Sequence, residues 1–317
     1  MKQMKASTKC AGVDVGKPWL DASVHGETPL IRVANDQAGW AKLIAWLQSF
    51  EVTRVGLEAT GGYERGVRAA LEAAQFEVVV HQPQEVRLFA RWQRIRAKND
   101  RKDAQVIAAA TAQVDTVRAA QDPRLRDLAE RMTAYEMITD KLAELKTFME
   151  HVTLTDVRCA IEVHIRALER TKQAMARQII RRIRAEPDLK RRFDLLQSLK
   201  GVGPIVAAAL VIRMPELGAM ARGQASALIG VAPYDDDSSK RNGPRHIAGG
   251  RFRPRRMLYL AALAAKRFDP ELRILAERLL AQGKKPKVAI VAVMRKLIEA
   301  ANIILARGQP WVQKQPA

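Results

Sequence analysis

The sequence predicts an α/β N-terminal domain, then a long helical segment, then a mostly α C-terminal domain. Three observations predict it. Short β-rich runs alternate with helical periodicity over the first hundred or so of 317 residues. Residues 124–186 contain neither Pro nor Gly. Beyond them, small apolar residues recur at helical spacing around glycine-marked turns. A chain of this length suggests about two domains at roughly 150 residues each. Shifts in pattern divide it into 1–120, a helical region 121–190 and 191–317.

The runs 9–15, 19–25 and 30–33 read as strands separated by short Gly-containing turns, an antiparallel meander. Residues 37–50 carry Trp40, Leu43, Ile44 and Leu47 at helical spacing. A fourth strand spans 54–58 and is ended by Thr60-Gly61-Gly62; a helix spans 63–74 and a fifth strand 76–81. Three strands, a helix, a strand, a helix and a strand is the order of an RNase H-like domain, in which the first and fourth strands are central neighbours. From Pro83 onward the pattern is helical. In 124–186, Leu125, Leu128, Met132, Tyr135, Ile138, Leu142 and Leu145 recur, which predicts two long helices as a hairpin or a coiled-coil arm suited to dimerisation. Residues 195–210 read as a helix end, a Gly201-Val202-Gly203 hairpin and a second helix. Such a helix-hairpin-helix-like turn lets Gly201 and Gly203 bring backbone amides to a phosphate; a tight turn between packed helices accounts for the same residues. A polar loop, 234–243, and an arginine series at 251, 253, 255 and 256 precede a helical remainder, 257–305.

Composition narrows the partners. Lys and Arg number 54 against 34 Asp and Glu, a net charge of +20, with 48% apolar residues. The chain is therefore not disordered by composition, and a polyphosphate, DNA or RNA, is the simplest partner. Residues 196–317 hold 21 Lys/Arg against 8 Asp/Glu. A second basic concentration contains Arg87, Arg91, Arg94, Arg96, Lys98, Arg101 and Lys102. Two cysteines, Cys10 and Cys159, without a CxxC, exclude a zinc ribbon, an iron–sulfur site and a disulfide scaffold. Neither a leader nor a run of eighteen apolar residues is present, which predicts a soluble cytoplasmic protein with no membrane partner.

Four acids have the chemistry of a metal site. Asp14 lies between β-branched residues in the first strand, where an acid is costly unless paired or metal-bound. Glu58 ends the fourth strand, and Asp100 and Asp103, three apart, share a helix face. Four hard oxygen donors suit two Mg²⁺ ions about 3.5–4 Å apart. In the polar loop, Ser238 and Ser239 follow three acids and precede Lys240, Arg241 and Arg245. Serine in such a loop commonly forms a turn. The functional reading is a nucleophile for a phosphodiester, its phosphate held by those cations.

These motifs in order resemble one family. Val13-Asp14-Val15-Gly16-Lys17, Glu58-Ala59-Thr60-Gly61-Gly62-Tyr63 and Asn99-Asp100-Arg101-Lys102-Asp103-Ala104 are similar to the RuvC-like domain of transposases of the insertion-sequence 110 family. Gly201-Val202-Gly203-Pro204, Gly230-Val231-Ala232-Pro233, Asp237-Ser238, Gly249-Gly250-Arg251 and Leu258-Tyr259 resemble that family's C-terminal transposase domain. The resemblance implies a bacterial DNA recombinase that excises and inserts its own element, acting on donor and target DNA under the guidance of a bridge RNA. It implies that Asp14, Glu58, Asp100 and Asp103 bind Mg²⁺, that Ser238 forms a phosphoserine link to DNA, and that the working unit is a dimer or tetramer. The family serine is commonly followed by Gly, where this chain has Ser239; the preceding Asp237 and the spacing from Pro233 favour Ser238. Nucleic-acid contacts are expected from Arg91, Arg94, Arg96, Lys98, Gly201, Gly203, Lys240, Arg241, Arg245, Arg251 and Arg253. The competing readings are a metal-dependent junction nuclease with water as nucleophile, and a non-catalytic nucleic-acid-binding protein.

Overall fold

The computed structural model describes residues 8–95, 100–115, 122–235, 237–238, 241–243 and 245–312; the side chains of residues 100, 101, 237, 238, 241 and 242 lie outside that description. The chain forms two compact units, Met1–Gln121 and Asp122–Ala317.

In the first unit, strands β1 (Cys10–Val15), β2 (Trp19–Val24) and β3 (Leu30–Ala34) precede helix α1 (Gln37–Ser49). Strand β4 (Arg54–Glu58), helix α2 (Glu64–Ala73) and strand β5 (Glu77–His81) follow, then helices α3 (Pro83–Trp92) and α4 (Asp100–Ala112). The sheet order is β3-β2-β1-β4-β5, with the first three strands antiparallel and β1, β4 and β5 parallel. This is the strand order anticipated for an RNase H-like domain, with β1 and β4 side by side at the centre.

Period-two alternation sorts the two faces. Ala11, Val13, Val15, Leu20, Ala22, Val55 and Leu57 form a core with Leu43 and Leu47 of α1 and Val67 and Leu71 of α2. Burial of each large aliphatic chain there contributes about 1.5–3 kcal/mol. The opposite face carries Gly12 and Gly56, and α4 lies directly on them. A Cβ at Gly12 would overlap the Ala104 carbonyl oxygen and the Ala108 nitrogen; one at Gly56 would overlap the Thr111 hydroxyl. Glycine is what lets helix and strand backbones approach so closely. Arg54, at the start of β4, donates from Nη1 to the carbonyl of Val114, just past the end of α4. The helix therefore runs antiparallel to β1 and β4, and its N-terminus points to their carboxyl ends.

In the second unit, α5 (Pro123–Met149) and α6 (Thr155–Ala185) pack on one another as a helical hairpin. Their turn needs no Gly or Pro; Val152, Thr153 and Thr155 are β-branched, and Leu154 is extended at ψ 124°. Helix α7 (Pro187–Gln197), the turn at Gly201–Gly203 and α8 (Pro204–Arg213) form the anticipated two helices joined by a tight glycine turn. Helix α8 is the centre of the unit, buried from Val206 to Ile212 against α5, α6, α7 and the later helix α10. Short helix α9 (Gln224–Ile229) follows. The polar loop is not irregular: β6 (Pro233–Tyr234) pairs β9 (His246–Ile247), and inside them β7 (Asp237–Ser238) pairs β8 (Arg241–Asn242). The helical remainder is three helices, α10 (Phe252–Phe268), α11 (Pro270–Ala281) and α12 (Pro286–Arg307). The breaks fall at Pro270 and Pro286, each in the first turn of its helix, where a missing N–H costs nothing. No described helix is long and apolar enough to cross a membrane.

Candidate functional site

The register assembles a polar row across the first sheet. The β1–β4 ladder pairs Val13 with Leu57, so Asp14 and Glu58 follow side by side on the α4 face. Asp14 pairs across to Asp21, Asp21 to Arg32, and Glu58 to His81. From β3 to β5 the row reads Arg32, Asp21, Asp14, Glu58, His81. The N-terminus of α4 brings Asp100 and the half-buried Asp103 to the same carboxyl end. Among the described residues, no three His, Cys, Asp or Glu side chains stand close enough to hold a metal ion. The side chain of Asp100, the fourth expected acid, lies outside the described residues.

Three members of the row, Arg32, Asp21 and His81, escaped the sequence reading. Asp21 is 7% exposed and accepts a two-pronged pair from Arg32, Nε to Oδ1 at 2.9 Å and Nη2 to Oδ2 at 2.8 Å. Such a bidentate pair fixes the orientation of the carboxylate beside Asp14. The signal was present: Asp21 sits between Leu20 and Ala22, out of phase with the core. His81 is buried and lies 2.9 Å by Nε2 from the Thr111 hydroxyl, which itself donates to the Ile107 carbonyl at 2.7 Å. That hydroxyl's proton is committed, so His81 donates from Nε2 and keeps Nδ1 as an acceptor. Burial pushes the His81 pKa down, against the raising effect of Glu85, and keeps the ring neutral.

The loops around the row are tied. Glu64 Oε2 accepts from the Thr60 amide at 3.2 Å, the Thr60 hydroxyl at 2.9 Å and the Gly62 amide at 2.8 Å. Burial raises its pKa, but these hydrogen bonds outweigh that and hold the carboxyl below its ordinary range. Asn35 Nδ2 donates to the carbonyls of Gly16 at 2.9 Å and Tyr63 at 3.2 Å. One amide thus joins the loop after β1 to the loop after β4.

Ser238 occupies the inner ladder of the nested hairpin, opposite Arg241 and directly before residues 239–240. Its side chain, that of Arg241, and residues Ser239 and Lys240 lie outside the described residues. The base of the hairpin is well defined. Gly230 and Gly250, both at positive φ, press together so closely that a Cβ on either would overlap the backbone of the other segment. Arg255 Nη1 donates to the carbonyls of Gly230 at 3.1 Å and Gly249 at 2.9 Å. The Gly230 and Gly249-Gly250 motifs, twenty residues apart, are therefore the two halves of one clamp.

The cations expected to meet nucleic acid have different surroundings. Arg251 is bound to Glu216 and to the Arg213 carbonyl, and Arg253 to the buried Glu136, so both brace helices. Arg245 pairs with Asp235 at the surface. Arg91 and Arg94 are exposed; Arg96 and Lys98 lie outside the described residues. Gly201, at φ +91°, is a packing glycine, since a Cβ would overlap the Ala265 nitrogen and the Ala261 carbonyl oxygen of α10. Gly203, the N-cap of α8, faces open space.

Comparisons with known proteins agree along the chain. A model of the IS110 DEDD transposase domain matches residues 11–157, and one described as the transposase IS116/IS110/IS902 family matches 193–277. The pilin gene-inverting protein of Moraxella bovis is 23% identical over 95% of this chain and 96% of its own. That of Moraxella lacunata matches at the same identity and coverage. The Thermus thermophilus RuvC structure aligns with 35% of this chain and 98% of its own, at 18% identity and a TM-score of 0.27. Two family models in order, together spanning most of the sequence, establish that the chain belongs to the IS110 family of DNA transposases.

Proposed function

We propose that this transposase excises and inserts its own mobile element through a serine–DNA intermediate assisted by the acidic row. The observation that carries the reading is the meeting of Asp14 and Glu58 on neighbouring central strands, at the end to which α4 brings Asp100 and Asp103. In the proposed step the Ser238 hydroxyl gives up its proton as its oxygen attacks a DNA phosphorus, one bridging P–O bond breaks, and the departing sugar oxygen takes up a proton from solvent in its place, so that protons balance. The serine ester conserves the energy of the broken bond, so the reverse attack by a new strand's hydroxyl rejoins DNA without a nucleotide cofactor. No GxxxxGK[ST] loop is present in the sequence, which accords with that economy.

Asp14, Glu58, Asp100 and Asp103 would hold Mg²⁺; all are carboxylate oxygen donors, the chemistry this ion takes. When bound it supplies positive charge beside the transferring phosphoryl group. The Asp21–Arg32 pair and the Asn35 and Glu64 ties would keep the carboxylates in place. The clamped hairpin would present Ser238, with Lys240 and Arg241 toward phosphate. Sequence choice would come from a bridge-type RNA paired to donor and target DNA, the basic protein reading backbone and shape. A dimer or tetramer acting in the cytoplasm completes the proposal. The Moraxella relatives are pilin gene-inverting proteins, a name that denotes DNA rearrangement and supports cut-and-rejoin chemistry.

The test is amplification of the circular-element junction from cells carrying the intact locus and its flanks. Wild type is expected to yield the junction, and Ser238→Ala and Asp14→Ala to lose it. A junction formed by Ser238→Ala would remove that serine from the mechanism. Junction formation by both variants would remove the reading altogether.

A further inference from the structure

Helix α3 ends in an exposed surface that mixes cations with an aromatic ring. Trp92 is 73% exposed and Leu88, one turn earlier on the same face, 55%. Beside them Arg87 and Arg91, also one turn apart, are exposed, and so is Arg94. Among the described residues none of these three guanidiniums has an ion-pair partner, in a chain where many other arginines do. An indole costs free energy in water, and so does an uncompensated set of like charges; neither is spent here on the core.

The helix end adds a second, independent observation. Arg94 has φ +57°, the left-handed conformation usually given to Gly. The Arg94 amide donates to the Arg91 carbonyl at 3.0 Å, and the Ile95 amide to the Ala90 carbonyl at 2.9 Å. This is a Schellman closure in which glycine would fit without strain and arginine costs roughly 1 kcal/mol. A cation is kept at a position where backbone preference disfavours it. Phe89, half-buried toward α4, meets Trp92 at 5.7 Å between ring centroids, so the indole rests on a fixed base.

We propose that this end of α3 binds an unpaired nucleotide segment: Trp92 stacks on a base, and Arg87, Arg91 and Arg94 neutralise the flanking phosphates. Charge complementarity favours a polyanion, and an exposed indole needs a base face that a closed duplex does not offer. The inference goes beyond the strand-transfer chemistry and uses none of its residues. An RNA or a melted DNA strand presents the same chemistry.

The experiment measures binding of the full-length protein to labelled oligonucleotides by fluorescence anisotropy. One sequence is used as single-stranded RNA, as single-stranded DNA and as blunt DNA duplex. Trp92→Ala is expected to weaken single-strand binding roughly 5- to 150-fold, with duplex binding changed less than about twofold. Trp92→Phe should restore most of the loss, because a ring remains. Arg91→Ala should weaken all three probes and lower the salt slope by about one. A larger loss on RNA than on DNA assigns the segment to RNA, and the converse to DNA. The proposal is overturned if Trp92→Ala leaves single-strand binding intact, if it weakens duplex equally, or if it alters only self-association. Absence of nucleic-acid binding by wild type would instead undo the functional reading itself.

Discussion

Single residues set the acidic row more than local composition suggests. Asp21, held by Arg32, adds a third fixed carboxylate position beside Asp14 and Glu58. Glu64 holds no place in the row but closes the loop after β4 through three hydrogen bonds. Because its folded pKa lies below the ordinary 4.5, its stabilisation is complete above that pH and is lost as pH falls through the folded value. Glu64→Gln is therefore expected to cost about 1 kcal/mol at pH 7 after solvent screening. The gap between the two proteins in urea denaturation should close below pH 4.5. A gap that stays constant down to pH 3 would mean the charged carboxylate is not what ties the loop. The Glu64 tie was not legible in the sequence, although Asp21 left a signal: Glu64 looks like an ordinary helix-start acid, and its partners become neighbours only when the Gly61–Gly62 turn folds back.

At the scale of elements, the strand order and the pairing of β1 with β4 were legible, because alternation of Val, Leu and Ala fixes which face is buried. The docking of α4 was not. It depends on Gly12 and Gly56, which in a sequence look like weak strand residues but in the fold are the contact itself. Gly12→Ala tests this at the element where it acts. The added methyl meets helix backbone, which cannot rotate away, so a loss of roughly 1–3 kcal/mol is expected in chemical denaturation. The shift of α4 should also lower recombination at least tenfold by withdrawing Asp100 and Asp103. Unchanged stability and activity would show that α4 is not seated on β1. The nested hairpin was missed for a related reason. Two-residue ladders leave no periodic trace, and the clamp that defines the hairpin joins Gly230 to Gly249 and Gly250 across twenty residues. The long Gly- and Pro-free stretch was read correctly as two helices, while Gly201 proved to serve packing against α10.

At the scale of the whole molecule, the two compact units divide the proposed chemistry: acids in Met1–Gln121, the serine hairpin in Asp122–Ala317. The helical stretch expected at 121–190 belongs, from Asp122 on, to the second unit. Much of the positive excess lies in that second unit, and part of it is paired within the fold. Arg213, Arg251 and Arg253 are bound to Glu136 and Glu216 inside the helical packing. Removing one partner of such a set is destabilising, so these arginines are read first as structural. In the proposed reaction a serine of the second unit becomes joined to DNA. That bond is sought by incubating the protein, the proposed bridge-type RNA and labelled DNA with Mg²⁺, denaturing, and mapping any surviving DNA-linked peptide by mass spectrometry. An adduct is expected on the peptide containing Ser238, absent from Ser238→Ala. Cleaved DNA without an adduct, or an adduct on another residue, would contradict it.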